Sequence, residues 1–230
     1  MSRKDELSAN LALVYKRIER AALAAGRDPK EIQLLPVTKY HPISDIEALL
    51  NLGITAVGEN RDQEAREKAS MLPSMQFHMI GQVQTKKANS VARWANTVQS
   101  VDSLKLAQAL NNGAARALDA GQREGLLRCM VQMSIDGDTA RGGAHGAQIE
   151  NLAEAIANAE FLELVGLMCV LPLGDHSFES AQQMFSKLRA CYGNSLDFSA
   201  GMSGDLEQAI SAGSTIVRVG TDILGRRVLG

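Results

Sequence analysis

Short apolar runs alternate with amphipathic stretches along most of the chain. The runs have the length of buried strands, whereas the stretches between them place apolar residues three and four positions apart, as on one face of a helix. Eight runs are predicted to be strands: 33–38, 54–57, 76–80, 97–101, 126–135, 162–170, 196–199 and 216–219. The clearest predicted helices are 43–52, 103–117, 147–159 and 178–188.

Strands that alternate with helices indicate βαβ units and a parallel sheet. Eight such units close naturally into a barrel, so the predicted fold is α/β, a (β/α)8 TIM-type barrel. The alternative is an open doubly wound sheet. The first strand, however, is not followed by the G-x-G-x-x-G turn that marks the dinucleotide-binding version of that fold.

A further helix is predicted over residues 5–25, before the first strand, with Gly26 and then Pro29 as its stop signal. Only about ten residues follow the last strand, too few for a full eighth helix. We therefore hypothesise that this N-terminal helix fills the vacant place in the outer ring. The alternative is a peripheral helix that covers the lower mouth of the barrel.

Composition narrows the class of protein. The 230 residues are 45% hydrophobic and 4% aromatic, which supplies the core of one domain spanning 1–230. The formal charge of −2 argues against a nucleic-acid-binding protein. Neither a secretory signal nor a membrane-spanning run is evident, so we expect a cytoplasmic protein. The cysteines Cys129, Cys169 and Cys191 lack zinc-site spacing, and we expect buried free thiols and no structural metal.

Active sites of such barrels lie at the carboxyl ends of the strands. The first strand delivers Lys39 to this position. Against apolar walls its ammonium would be desolvated, which lowers the pKa and exposes the nucleophilic amine that a Schiff base requires. The alternative is a solvated loop lysine, which position alone favours.

The next two strands deliver Glu59 and Asn60, and then His78. Asn60 suits the N-cap of the following helix, and Glu59 has no obvious charge partner before that helix begins. His78 is either a catalytic residue or a core histidine with a satisfied hydrogen bond. Further on, Lys86 and Lys87 run against the dipole of a helix that starts there, which indicates either a nearby anion or a plain solvated turn.

The last two strands carry a stronger signal. Residues 199–205 combine hydroxyls and glycines after the seventh strand, and Ser203 is placed to cap the helix that follows. After the eighth strand come Gly220, which permits close backbone approach, and Thr221, which offers an N–H and a hydroxyl. Barrel enzymes frequently bind phosphate with these two loops, so we predict a phosphate site here.

Arg218 lies within the eighth strand among valines. An inward-facing arginine is costly to bury without a partner. Two interpretations stay open: a structural pairing with Glu59 or Asp222, or donation to a ligand heteroatom at the centre of the barrel.

These residues resemble the pyridoxal-phosphate homeostasis proteins, stand-alone barrels similar to the N-terminal domain of alanine racemase. The matching motifs are Val37-Thr38-Lys39, Gly58-Glu59-Asn60, His78-Met79-Ile80-Gly81, Gln84-Thr85-Lys86-Lys87, Gly166-Leu167-Met168, 199–205, Ala212-Gly213-Ser214-Thr215 and 217–221. The element Ser-x-Gly-Met-Ser-x-Asp at 199–205 is specific, whereas the lysine segment alone is a weak signal.

The resemblance implies a fold-type III barrel that binds pyridoxal 5′-phosphate (PLP) as its cofactor through a Schiff base to Lys39. The residues expected to bind the cofactor are Lys39, Asn60, His78, Ser199, Met202, Ser203, Arg218, Gly220 and Thr221. Within that set, the resemblance assigns the phosphate to Ser199, Ser203, Gly220 and Thr221. It implies that Arg218 faces the pyridine nitrogen, where a cationic partner weakens the cofactor as an electron sink.

Members of this family are thought to bind, buffer or deliver PLP and to affect amino-acid balance, without a firm catalytic turnover. The chain ends soon after its last strand, so we expect neither the β domain that supplies a second base in racemases nor robust catalysis. We expect a monomer whose partners are PLP and PLP-accepting apo-enzymes. The family commonly carries lysine where this chain has Arg141, which puts a second PLP-accepting lysine there in doubt.

Two other function classes stay open. One is a PLP enzyme acting on amino acids, such as a weak racemase, which requires a base opposite Lys39. His78 is the best candidate for that base, and Tyr40 is a poorer one because it directly follows the lysine. The other is a cofactor-free Schiff-base aldolase on phosphorylated sugars, which would use the same lysine and phosphate loops.

Overall fold

The computed structural model describes residues 2–137, 142–171 and 177–225. Within these ranges eight parallel strands form one sheet in the order β1-β8-β7-β6-β5-β4-β3-β2. The strands are β1 Gln33–Pro36, β2 Ala56–Glu59, β3 Gln76–Met79, β4 Thr97–Val101, β5 Leu127–Met133, β6 Leu162–Cys169, β7 Asp197–Ser199 and β8 Ile216–Val219. All eight predicted strands are confirmed, with each end within two residues of its predicted position.

One α-helix precedes the first strand, and an α-helix follows each of the eight strands. They are α1 Arg3–Ala24, α2 Ile43–Asn51, α3 Asp62–Met71, α4 Ala88–Trp94, α5 Leu104–Asp119, α6 Ala147–Ala157, α7 Glu179–Tyr192, α8 Leu206–Ser211 and α9 Thr221–Leu224. The last of these is a single turn, in agreement with the shortage of residues after the eighth strand.

The sheet closes on itself between β1 and β2. Val37 and Gly58 form a parallel bridge, and the Thr38 N–H donates to the Gly58 carbonyl oxygen at 3.0 Å. The predicted TIM-type barrel is therefore confirmed, and the open doubly wound sheet is wrong.

The core has two layers that follow the alternation of side chains along each strand. Leu35, Ala56, Met130, Val165, Met168 and Ile216 form a cluster built from strand residues alone, which lies inside the barrel. Leu34 and Val217 instead pack in a cluster with helical side chains, between the barrel wall and the outer ring. By the same alternation, Thr38 continues the outward series of Leu34, whereas Lys39 lies in the turn beyond the strand.

The helix α1 lies in the outer ring between the last and the first βα units. It begins at an N-cap Ser2 with a capping box to Asp5, and its buried stripe packs against α8, α9 and α2. Arg3 binds Asp45 at the start of α2 at 2.7 Å and donates to the Leu224 carbonyl oxygen of α9 at 2.9 Å. The hypothesis that this helix fills the vacant place in the ring is confirmed, and the lower-mouth alternative is wrong.

The cysteine prediction is partly wrong. Cys129 and Cys169 are buried, and burial raises the pKa of each thiol to about 12, so both are inert. Cys191 is exposed because it lies on the outer face near the end of α7. In the part of the chain that the structure describes, no helix combines the length and the apolar character that a membrane crossing needs.

Candidate functional site

The segment after β1 forms a tight turn with Lys39 inside it. The His41 N–H donates to the Thr38 carbonyl oxygen at 3.1 Å, so Lys39 and Tyr40 are the two central residues. Tyr40 has a φ of +66°, at the position where turns of this kind favour glycine. Lys39 is half-buried and Tyr40 is exposed at the mouth of the barrel.

A buried ion-pair cluster lies behind this turn. The Lys68 ammonium, from α3, donates to the Thr38 carbonyl oxygen at 2.9 Å and to Oε1 of Glu59 and of Glu64, both at 2.7 Å. The Thr38 hydroxyl donates to Glu59 at 2.6 Å, and the Tyr40 N–H donates to Glu64 at 2.6 Å. Glu59 therefore has the charge partner that the sequence did not reveal, because Lys68 reaches it from two turns into the next helix.

The loop after β7 packs closely on α8. Gly201 has a φ of +92°, and a Cβ there would lie 2.5 Å from the Cβ of Ala209. The N-cap position of α8 is Asp205, whose carboxylate accepts from the Met202 N–H at 2.5 Å. The interpretation of Ser203 as the helix cap is therefore wrong, since the acidic residue two positions later occupies that place.

The turn after β8 lies beside the end of β1. Gly220 is the N-cap position of α9, and a Cβ there would lie 3.4 Å from the Val37 carbonyl oxygen. Thr221 opens the helix, whose first N–H groups have no acceptor within it. Because β1, β8 and β7 are neighbours, Lys39, Gly220–Thr221 and the loop after β7 meet at one side of the barrel mouth.

Arg218 is buried in the barrel interior, with 4% of its surface exposed. Its guanidinium donates to the Ser199 hydroxyl at 2.7 Å and to the Cys169 carbonyl oxygen at 2.8 Å. The proposed pairing with Glu59 or Asp222 is wrong, because Glu59 binds Lys68 and Asp222 binds Arg17 at 2.6 Å. The barrel thus carries a central cation that donates hydrogen bonds to two neutral oxygens.

A directed chain of hydrogen bonds runs from Arg218 across the interior. Ser199 accepts from Arg218 and donates to Oε1 of Gln99 at 2.7 Å. The Gln99 amide then lies 3.0 Å from Nδ1 of His78. Because arginine can only donate, every link points from Arg218 towards His78, and Nδ1 of His78 is the acceptor. The ring proton therefore lies on Nε2.

His78 ends this chain with an unused donor. The ring is 3% exposed, burial lowers its pKa to about 4, and its Nε2 is buried with no hydrogen-bond partner among the described residues. A neutral histidine that presents an N–H is a hydrogen-bond donor and a poor base. Only half of the core-histidine interpretation is right, because one of the two nitrogens is not satisfied.

Asn60 lies next to the loop after β3. A Cβ on Gly81 would overlap the Asn60 carbonyl, so this glycine lets the two loops touch. The N-cap position of α3 is Arg61, without a side-chain cap, so the interpretation of Asn60 as a cap is wrong. Lys87 precedes α4, and its ammonium lies 3.5 Å from the Asp62 carboxylate. This carboxylate is the anion that balances the positive charge at the start of α4.

The structure brings most of the predicted site residues to one end of the barrel, and it adds three that sequence reasoning missed. Gln99 and Lys68 are buried, and Arg17 of α1 ties both candidate phosphate loops together. The alternation in β4 could have revealed Gln99 as an inward polar residue, and the spacing of Glu64 and Lys68 their ion pair. Arg141 and residues 226–230 lie outside the described residues.

Comparisons with known proteins show the family and the fold of this chain. The family model described as alanine racemase, N-terminal domain, matches residues 9–228. A pyridoxal phosphate homeostasis protein of Corynebacterium glutamicum is 54% identical over 217 residues, covering 93% of this chain and 98% of that protein.

Two solved structures are also similar. One is a protein described as unknown from Bifidobacterium adolescentis, with a TM-score of 0.82, 31% identity and coverage of 96% of this chain and 95% of that one. The other is PipY of Synechococcus elongatus with PLP bound, with a TM-score of 0.73, 28% identity and coverage of 91% and 100%.

Proposed function

This chain belongs to the pyridoxal phosphate homeostasis protein family, and from that premise we propose that it binds PLP covalently through Lys39 and serves intracellular PLP homeostasis. The observation that carries the proposal is the meeting of Lys39, the Gly220–Thr221 turn and the buried Arg218 at adjacent strand ends. The name of the Corynebacterium glutamicum relative and the PLP in the PipY structure support it.

The side chains of this site fit the cofactor. Bound PLP supplies an aldehyde that condenses with a lysine amine, forming a C=N bond and releasing water. Lys39 would provide that amine from the wall of the barrel mouth. The buried Nε2–H of His78 and the buried guanidinium of Arg218 are donors that a polar ligand in the interior can use.

The phosphate would be held by the loops after β7 and β8, through Ser203, Gly220 and Thr221. Ser199 is the fourth proposed phosphate contact, and it has a constraint. Its single hydroxyl proton is donated to Gln99, so a bond to phosphate requires that proton to leave Gln99. Asn60 and Met202 complete the proposed contacts from the flanking loops.

Arg218 is the residue that would favour a carrier over an enzyme. A guanidinium facing the pyridine nitrogen keeps that nitrogen unprotonated, which weakens the electron withdrawal that PLP enzymes depend on. The bonds to Ser199 and Cys169 hold the guanidinium in place from two strands. We therefore propose binding, buffering or delivery of PLP to apo-enzymes, without robust turnover.

His78, the best candidate for the base of a weak racemase, is unsuited to that role. His78 would have to accept a proton at a nitrogen that already carries one, or at Nδ1, where Gln99 donates. Burial also lowers its pKa to about 4, so protonation at neutral pH is unfavourable. We extend the proposal to a cytoplasmic monomer in which residues 1–230 act as one domain.

The test is covalent labelling. Purified protein is mixed with PLP, the visible absorption is recorded, and borohydride then fixes the pyridoxyl group on the lysine for mapping by mass spectrometry. We expect a shifted absorption band and an adduct on Lys39, both lost in Lys39→Ala and kept in the nearby control Lys87→Ala.

Two other results would change the assignment. An adduct that persists on another lysine in Lys39→Ala would contradict the role of Lys39. No absorption change at all would favour the alternative function, a cofactor-free Schiff-base aldolase on phosphorylated sugars. The test of that alternative is trapping of a ketone or aldehyde substrate by borohydride. Exchange of Cα deuterium on amino acids would contradict the absence of turnover.

A further inference from the structure

The ammonium of Lys68 is buried behind the barrel wall, on the opposite side of β1 from the barrel interior. Its side chain is 8% exposed and its three donors meet three oxygens: Thr38 O, Glu59 Oε1 and Glu64 Oε1. A fully engaged, paired ammonium is not available as a nucleophile, so Lys68 is unsuited to be a second attachment point for an aldehyde. The burial of Lys68 therefore has another explanation.

Three bonds of this cluster end at the turn that carries Lys39. On the N-terminal side, Lys68 holds the Thr38 carbonyl, and Glu59 holds the Thr38 hydroxyl. On the C-terminal side, Glu64 holds the Tyr40 N–H. The peptide units before and after Lys39 are thus tied to one buried ammonium.

The turn needs such a restraint. Tyr40 is held at a φ of +66°, which costs a non-glycine residue about 1 kcal/mol. Without the bond to Glu64, one restraint on this positive φ is lost, and rotation of the peptide unit between Lys39 and Tyr40 becomes easier. Such a rotation would change the direction in which the Lys39 side chain leaves the turn.

The cluster adds little to the stability of the fold. Glu59 is fully buried, its Oε2 has no hydrogen-bond partner among the described residues, and burial raises the pKa of its carboxyl despite Lys68. Buried ion pairs of this kind add little stability compared with apolar residues of similar size. Its value therefore lies in the geometry that it imposes.

We infer that Lys68, with Glu59 and Glu64, is a positioning residue that fixes the turn around Lys39 so that its amine points into the barrel mouth for condensation with an aldehyde. This inference rests on the proposed function of Lys39. It adds that attachment of PLP depends on a second lysine that never touches the cofactor.

The experiment measures covalent attachment of PLP to Lys39 separately from non-covalent binding in the pocket. Pyridoxamine 5′-phosphate has the ring and the phosphate of PLP but no aldehyde, so its affinity reports on the pocket and not on Lys39. In Lys68→Met, we expect the rate of attachment of PLP to Lys39 to fall about tenfold or more, because charged hydrogen bonds to the turn are lost. The Kd of pyridoxamine 5′-phosphate should stay within about twofold.

Three further variants keep the test decisive if Lys68→Met folds poorly. Lys68→Met combined with Glu59→Gln removes the uncompensated carboxylate, while the amide still accepts from Thr38. Glu64→Leu removes the acceptor of the Tyr40 N–H at a part-exposed site, and Glu64→Gln restores an acceptor there. Attachment should be slow in the first two and partly recovered in Glu64→Gln.

The matched control is Lys187→Met, a helical lysine paired with Glu150 on the surface at 2.9 Å, which should leave attachment unchanged. Attachment at the wild-type rate in the Lys68 and Glu64→Leu variants would overturn the inference. So would a parallel loss of attachment and of pyridoxamine 5′-phosphate binding. If wild-type protein forms no adduct on Lys39, the proposed function fails instead.

Discussion

The protonation state of His78 determines whether the barrel interior holds one cation or two. His78 receives a hydrogen bond from Gln99 and sits at the end of a chain that starts at Arg218. Burial disfavours a second positive charge in this interior, and repulsion from Arg128 lowers the pKa of His78 further. The arrangement therefore keeps one cation and one neutral donor.

The stability of the protein should report this protonation state. Burial lowers the pKa of His78 from 6.5 to about 4, so between these values the unfolded chain binds a proton that the folded protein does not. Stability from this residue is present above pH 6.5 and is lost as the pH falls towards 4, by at most about 1.4 kcal/mol per pH unit. The advantage of wild type over His78→Gln should therefore shrink on acidification.

Urea denaturation of both proteins between about pH 7 and about pH 5 measures this difference, because other titrating groups cancel in the comparison. A difference that stays constant across this range would mean that the pKa of His78 in the folded protein equals its value in the unfolded chain, as for a solvated imidazole.

Single residues were also where sequence reasoning reached its limit. The position of Lys39 and the burial of Arg218 follow from strand ends and strand alternation, which local pattern encodes. The partners of Arg218 do not, because Ser199 and Cys169 come from two other strands, and only closure of the barrel brings them within 3 Å. The same holds for the Lys68 cluster, whose members lie on a strand and on the following helix.

At the scale of elements, α1 does more than fill a gap in the ring. Arg17 bonds to the Ser203 carbonyl oxygen at 2.9 Å, to Glu207 at 2.8 Å and to Asp222 at 2.6 Å. One guanidinium thus joins α1 to the loop after β7, to α8 and to α9. Since α9 has only one turn of its own, α1 supplies much of the support for the proposed phosphate loops.

Removal of this link should weaken phosphate recognition selectively. In Arg17→Ala we expect the Kd of pyridoxamine 5′-phosphate to rise roughly threefold to tenfold, a modest effect because Arg17 is partly exposed. Attachment of pyridoxal, which lacks the phosphate, to Lys39 should be unaffected. Arg20→Ala is the control, since Arg20 donates to the Lys16 carbonyl oxygen in the same helix. Equal losses for both ligands would show that Arg17 supports the fold and not the loops.

At the scale of the whole molecule, the barrel is joined unevenly around its circumference. Strands β5 and β6 pair over seven residues, whereas β1 and β2 meet through one bridge at Val37 and Gly58. The fold class and the strand count were predictable, because each unit has its own periodicity. The position of this thin seam was not, since it depends on the tilt and stagger of all eight strands.

Two glycines near the seam should differ in their effect on global stability. A Cβ on Gly81 would overlap the Asn60 backbone, whereas a Cβ on Gly58 would meet mainly the flexible end of Ile80 at 2.9 Å. We expect Gly81→Ala to lower the free energy of unfolding by about 2 kcal/mol and Gly58→Ala by clearly less. Chemical denaturation of the two variants measures this, and the reverse order would mean that the loops after β2 and β3 are not in contact.

The position of α1 has a consequence for synthesis of the protein on the ribosome. Several of its partners lie near the other end of the chain: Arg3 reaches Leu224, 221 residues later, and Arg17 reaches Ser203, 186 residues later. While translation proceeds, α2 can cover part of the apolar stripe of the first helix, but α8 and α9 are still missing and the ring stays open at that place. Contacts of such long sequence separation form slowly and late. The pocket for the cofactor can therefore be completed only after the last strand has emerged, so a nascent chain holds Lys39 long before it can hold its ligand.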